Sequence, residues 1–357
     1  MTYRILVGSY TSDVTTLEFD PDASTLRVAS ALTVGHHPSW LTRHPSDPSL
    51  VYTGLEQAGG KILVFKIDTE GAVTVVGEAS GGGEDPASLE ALDKELIVGN
   101  YSSGNVAIIP ISTSPSIHPE PTAVHQLPFS KAGPNADRQL ASHPHQIVPV
   151  LSRNMMLVPD LGADRTWIFE KRGDSDEWHQ TGSLLYKPGD GPRHLVHHDN
   201  VAYTLCELTS TVSTHRLDTV REDIEPLTHA STMFTPPSPL GDMLAAEILL
   251  YPPPPASPSA SYQPRFLYIS NRNFPGEVGD PIAIFSLENP LAPKLVRETA
   301  SGLEHVRGMV VSPDGKYLVA GGVHGGGVKI YDVREDGGAL EQVAHCELEG
   351  PTHFLWL

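Results

Sequence analysis

Short apolar runs recur along the whole chain, each closed by Gly, Pro, Asn, Asp or Ser, and none sustains a 3.6-residue period. The first copy is Tyr3–Tyr10 with Thr15–Phe19 behind it. The second begins His37-Pro38-Ser39-Trp40 and continues through Leu50–Gly54 and Ile62–Ile67. The third runs from Asp85-Pro86-Ala87-Ser88 through Glu95–Asn100 and Val106–Ile111. The fourth starts at His143-Pro144-His145, the fifth at Gly191-Pro192-Arg193-His194, the sixth at Leu244-Ala245-Ala246-Glu247 and the seventh at Val306-Arg307-Gly308-Met309. Each reads as strand, turn, strand, turn, strand. The anchors Pro38, Pro86, Pro144 and Pro192 recur at intervals of roughly 50 residues, the range of a blade-sized β repeat.

Units of this size cannot bury both faces alone, so the pattern predicts an all-β fold, a seven-bladed β-propeller. Phe354–Leu357 is a first strand with nothing after it. It is expected to pair with Tyr3–Tyr10, so that the two chain ends close one blade and leave no open edge. Residues 1–357 then form one domain. Two stretches interrupt the repeat. Ser112–Gly133 is expected to join blades. Tyr251–Tyr262 carries too many prolines for a ladder and is expected to be a surface loop within the sixth blade.

In such a blade the start of the innermost strand and the end of the next lie at one face. Arg193 opens one strand and Glu207 ends its neighbour, so these two should meet on one rim. Reading the same positions off every repeat collects polar residues at one mouth: Ser9, Tyr10, His36, His37, Glu56, Asp85, Asn100, His143, His145, Asp160, Arg193, His194, Glu207, Glu247, Arg272, His305, Arg307, His324 and His353. The opposite strand ends carry ordinary turns such as Ser312-Pro313-Asp314-Gly315-Lys316. That mouth is the expected binding site.

Charge narrows the ligand. The chain of 357 residues has 43 acidic and 24 basic side chains, a formal net charge of −19. This disfavours nucleic acid and anionic membrane as partners but not an anionic small substrate, which feels only its own pocket. Cys206 and Cys346 are the only cysteines, which gives neither a disulfide framework nor a cysteine metal site. The N-terminus lacks the apolar core of a signal peptide and no run reaches membrane-spanning length, so a cytoplasmic location is expected. Carboxylates at the mouth would suit calcium, yet the arginines among them compete for the same oxygens, and no metal or cofactor is expected. No phosphate-binding glycine loop and no Gly-x-Ser-x-Gly elbow occurs.

Gly191-Pro192-Arg193-His194 followed by Glu207, Gly99-Asn100-Tyr101-Ser102-Ser103-Gly104-Asn105-Val106, and Arg307-Gly308-Met309-Val310-Val311-Ser312-Pro313-Asp314-Gly315 together resemble the seven-bladed lactonase family. That family includes propeller-type 6-phosphogluconolactonases and fungal 3-carboxy-cis,cis-muconate lactonizing enzymes. The resemblance implies a site of one His, two Arg and one Glu, matching His145, Arg193, Glu207 and Arg272. His194, Arg307, Asn100, Tyr101, His324 and His353 are expected around the substrate. The leading expectation is hydrolysis of a sugar lactone with Glu207 and His145 as acid–base pair and arginines as anion clamps. The alternatives are a carboxymuconate cycloisomerase using the same residues on a polycarboxylate, and a non-catalytic scaffold. The scaffold wants exposed aromatics at the mouth, for which only Trp40, Tyr10 and Tyr101 are candidates.

Overall fold

The computed structural model describes residues 2–113, 119–171, 176–217, 223–253 and 262–357. Its strands form seven separate sheets, each an antiparallel array built mainly from consecutive strands. The residues group into two compact units. Unit 1 comprises Met1–Leu41, Ile67–Thr74 and Ala230–Leu357, and unit 2 comprises Thr42–Lys66 and Val75–His229.

Unit 1 holds three whole sheets. In the first, Pro351–Trp356 precedes Tyr3–Ser9, Asp13–Asp20 and Thr25–Thr33. The expected closure is therefore present: Ile5 pairs with Trp356 and Val7 with Phe354. The second runs Leu244–Tyr251, Phe266–Arg272, Pro281–Ser286, Lys294–Ala300, and the third Glu304–Val311, Tyr317–Gly325, Val328–Arg334, Ala339–Cys346. Ile5, Val7, Leu17, Phe19, Ile330, Phe354 and Trp356 share one core cluster. Burying one such side chain contributes about 1.5–3 kcal/mol, so the seam between the chain ends is held by packing as well as by its ladder.

Unit 2 also holds three, apart from Ala230 and Ser231 at the end of the third. The first is Pro86–Ala91, Glu95–Asn100, Asn105–Pro110, Ala123–Gln126. The second is Val148–Val150, Met155–Asp160, Arg165–Lys171, Trp178–Leu185, edged by the short Asp223–Ile224, which runs parallel to its neighbour. The third is Pro192–His198, Val201–Cys206, Thr211–Arg216, Thr228–Ser231. The seventh sheet is Pro38–Arg43, Leu50–Leu55, Lys61–Ile67, Val73–Ser80, whose central hairpin lies in unit 2. Ile97, Val106, Met156, Val158, Trp167 and Phe169 pack adjacent sheets of unit 2 together.

A repeated local device opens the innermost strands. A left-handed residue stands just before the strand at His37 (φ 49°), Asp85 (φ 53°), Gly191 (φ 62°) and Gly350 (φ 59°), and as the second residue of its strand at His305 (φ 63°). After Asp85, Gly191 and His305 the ladder then skips a step, as it also does in Leu244–Tyr251. The bulge falls between Pro86 and Ser88, Pro192 and His194, Ala245 and Ile248, and Val306 and Gly308. A bulge re-aims the extra side chain and ends regular pairing. Arg193, Glu247 and Arg307 occupy such skipped positions.

Two expectations need correction. Ala123–Gln126 pairs with Asn105–Ile108 as a fourth strand, so part of Ser112–Gly133 belongs to a sheet rather than to a joining loop. The fourth repeat does not begin its ladder at His143-Pro144-His145. Regular pairing starts at Val148, and Pro144 makes one isolated bridge to Asp160. The cause is Asp160, whose buried carboxylate gathers the Ser142 hydroxyl (2.5 Å), the His143 N–H (2.7 Å), the Trp167 indole N–H (2.9 Å) and the N–H groups of Gly162 and Ala163 (both 3.1 Å). The backbone bends around that carboxylate instead of running straight. Of the proline-rich stretch Tyr251–Tyr262, residues 254–261 lie outside the described residues.

Candidate active site

The turn before Arg193 is fixed by its own chemistry. Asp164 accepts the N–H of Gly189 at 2.7 Å and of Gly191 at 2.8 Å. A Cβ on Gly191 would stand 2.6 Å from the Leu208 side chain, at a backbone angle that L-residues resist. The Gly191 carbonyl in turn receives the Glu207 N–H at 2.8 Å. Turn and strand end are thereby locked together, and the bulge aims Arg193 inward.

Arg193 is 2 % exposed and Glu207 is fully buried. Arg193 Nη1 donates to Glu207 Oε2 at 2.6 Å and lies 2.5 Å from His145 Nε2. A guanidinium only donates, so Nε2 is the acceptor and the neutral imidazole carries its proton on Nδ1. The other carboxylate oxygen is taken too: Arg138 Nη2 donates to Glu207 Oε1 at 2.7 Å and to the Tyr101 hydroxyl at 3.3 Å. The Tyr101 ring stacks on His143 at 4.3 Å and 14°, and meets His145 edge-on at 5.6 Å. His194 meets His145 edge-on at 5.2 Å. Burial works against the Arg138 charge, but the Glu207 carboxylate and Tyr101 hold its pKa above the ordinary value. Burial raises the Tyr101 hydroxyl, and Arg138 opposes that shift.

His145, Arg193, Glu207, Tyr101 and His194 thus form one constellation in unit 2. Arg272 has its own surroundings in unit 1. Its Nη2 donates to the Ala245 carbonyl at 3.0 Å, and its Nη1 reaches His305 Nε2 at 3.4 Å. His305 is oriented from behind by Asn273 Oδ1 at 2.8 Å, and its ring lies 4.1 Å from the exposed His324. Arg307 sits over the Tyr10 ring at 4.8 Å, and His353 stacks on Trp40 at 4.3 Å.

Asn100, expected around the substrate, is held by its own bonds. It is fully buried, and its amide donates to the Gly81 carbonyl and to Asn105 Oδ1, both at 2.9 Å. It ties two turns together. The side chain that the repeat positions missed is Arg138, which belongs to the approach to the fourth repeat. Asn135 Oδ1 accepts the N–H groups of Asp137 and Arg138, both at 3.2 Å. Gln139, buried, accepts the Asn135 N–H at 3.3 Å and donates to the Leu161 carbonyl at 3.0 Å. An Asn-led turn with a buried glutamine is the signal that this loop is a rigid mount.

The family described as "Lactonase, 7-bladed beta-propeller" matches residues 4–356. The chain belongs to this family. Its seven sheets are the blades of an all-β propeller, and its class is that of lactone-hydrolysing enzymes. It is 28% identical over 366 residues to a protein of Arthroderma benhamiae named "Probable 6-phosphogluconolactonase", covering 98% of this chain and 88% of that one. It is 25% identical over 357 residues to the 6-phosphogluconolactonase of Formosa agariphila, covering 95% of each. The solved structure of the Pseudomonas aeruginosa periplasmic gluconolactonase shares the fold with a TM-score of 0.82 at 21% identity, covering 100% of this chain and 99% of that one. Among the described residues no helix is long and apolar enough to cross a membrane, and no group of three or more His, Cys, Asp or Glu is gathered as a metal site requires.

Proposed function

We propose that this protein hydrolyses a sugar lactone, with Glu207 as the proton-transfer group of the site. The observation that carries the proposal is the buried carboxylate held by two arginines with a histidine at their shoulder. Each oxygen of Glu207 accepts one guanidinium N–H. A carboxylate has about four lone-pair sites, so two guanidinium N–H groups do not exhaust it as an acceptor. Water attacks the lactone carbonyl carbon while Glu207 takes its proton. The ring C–O bond then breaks, and the proton on Glu207 passes to the ring oxygen to give the hydroxy acid. A carboxylate between two guanidiniums is a weak base. The mechanism therefore leans on the positive field at the developing oxyanion more than on proton abstraction. His145, fixed by Arg193, orients the reacting groups and is the alternative proton carrier.

The names of the curated relatives favour hydrolysis over muconate cyclisation, which would draw on the same residues. The test is acid release from glucono-δ-lactone and 6-phosphogluconolactone, corrected for spontaneous opening, beside loss of diene absorbance with a carboxymuconate. Lactone turnover that falls roughly 100-fold or more in Glu207→Gln, the scale of a lost general base, supports the assignment. No turnover above the spontaneous rate on either lactone overturns it.

A further inference from the structure

We propose that Arg138 binds an anionic group of the substrate, a phosphoryl group above all, and so sets the specificity of the site. The inference rests on the lactone-hydrolysing reading of the site. Arg138 spends only Nη2 inside the protein, on Glu207 and Tyr101. Its Nη1 and Nε hydrogens have no partner among the described residues, and its side chain is 32% exposed. Arg193, by contrast, is 2% exposed in the same pair of bridges. One arginine is sealed in and the other faces outward.

Charge supports the same assignment. Arg193 already balances Glu207, so the two guanidiniums and one carboxylate leave a surplus positive charge at the outward end. That surplus stands in a chain whose formal net charge is −19, so it is a local arrangement and not a reflection of composition. The mount is rigid: the Asn135 and Gln139 bonds fix the loop, so little freedom is lost when Arg138 takes a ligand. Phosphoryl oxygens are suited to guanidinium donors.

The experiment compares Arg138→Ala and Arg138→Lys with the wild type on 6-phosphogluconolactone and on the neutral glucono-δ-lactone. Calorimetric binding of 6-phosphogluconate and of gluconate supplies a readout that needs no turnover. A lost charge-assisted hydrogen bond predicts a KM for the phosphorylated lactone, and a Kd for 6-phosphogluconate, raised roughly 10- to 100-fold in Arg138→Ala. Because Arg138 also holds Glu207, kcat should fall on both lactones alike, so the deciding readout is binding: KM for the neutral lactone and Kd for gluconate should rise far less than the phosphorylated pair, and Arg138→Lys should recover part of that binding loss. Equal losses of binding on phosphorylated and neutral ligands would overturn the proposal and leave Arg138 as a residue that only positions Glu207. Unchanged binding of 6-phosphogluconate would overturn it as well. A wild type without lactone turnover that still binds 6-phosphogluconate through Arg138 would remove the hydrolytic reading but keep the anion site.

Discussion

Arg193 meets Glu207 at 2.6 Å because the first stands on a β-bulge and the second follows the neighbouring strand, whose end is tied to Gly191. The pair is fully desolvated, and the same Nη1 contacts His145. Such an arrangement is costly to break. Removing one member of a buried pair leaves an uncompensated charge and typically costs about 3–5 kcal/mol.

The pH dependence of catalysis should follow from this pair. An adjacent positive charge favours the ionised carboxylate, and burial opposes it. Arg193→Met removes one of the two guanidiniums on Glu207, so the carboxyl protonates at higher pH. The acidic limb of the kcat/KM profile should therefore move upward. Arg193→Lys keeps the charge and should move it less, with activity still reduced because the planar donor is lost. The measurement is kcat/KM against pH for all three proteins. An acidic limb that stays in place in Arg193→Met transfers the proton-carrying role from Glu207 to His145.

Asn100 offers a prediction on stability. Its amide bridges Gly81 and Asn105 in a position with no exposure. Asn100→Ala strands a buried carbonyl and a side-chain oxygen, a loss of about 1–3 kcal/mol for each unsatisfied group. The midpoint of urea unfolding should fall clearly while KM for the lactone changes little. If KM rises several-fold with an unchanged midpoint, Asn100 touches substrate after all.

The blades were legible in the sequence because turn residues and apolar runs repeat. The rim pair was legible because strand order alone sets Arg193 beside Glu207. The outermost strands were not. Thr25–Thr33 is exposed at most of its positions, so it carries no apolar run to read. Arg138 escaped for a different reason. It sits on a turn outside the repeat, and its contact with Glu207 spans 69 residues, which no local pattern encodes. The bend at His143–His145 escaped because five donors converge on Asp160 only after the chain has folded.

His215 should make the protein sensitive to mild acid. Burial lowers its pKa from the ordinary 6.5 to about 4. The neutral ring bonds the Leu185 carbonyl at 2.9 Å and packs edge-on against Tyr186 at 4.9 Å. The unfolded chain takes up this proton near pH 6.5 and the native state resists until about 4. Stability is thus lost as pH falls across that window and is level above it. A gap of that width between the native and unfolded pKa is worth roughly 3 kcal/mol once the window has been crossed. His215→Gln should be less stable than the wild type at pH 7.5, because it loses packing, and should close that gap by pH 4.5. A gap in urea midpoint that is the same at both values removes His215 as the titrating group.

Glu90 should act in the opposite direction. It lies on Pro86–Ala91, opposite Ile97, and burial alone raises its carboxyl from 4.5 to about 7. The unfolded chain ionises this group near pH 4.5, whereas the native state keeps the proton until about 7. The unfolded state therefore binds fewer protons in between, and stability falls as pH rises from 4.5 through 7 before levelling off. The magnitude is again roughly 3 kcal/mol at full development. Glu90→Gln removes the charge and keeps the shape, so it should match the wild type near pH 4.5 and exceed it at pH 8. Measured by urea midpoint, that difference should appear only on the alkaline side. A constant difference at both pH values, or none at pH 8, would show that Glu90 ionises as freely in the folded protein as in the unfolded chain.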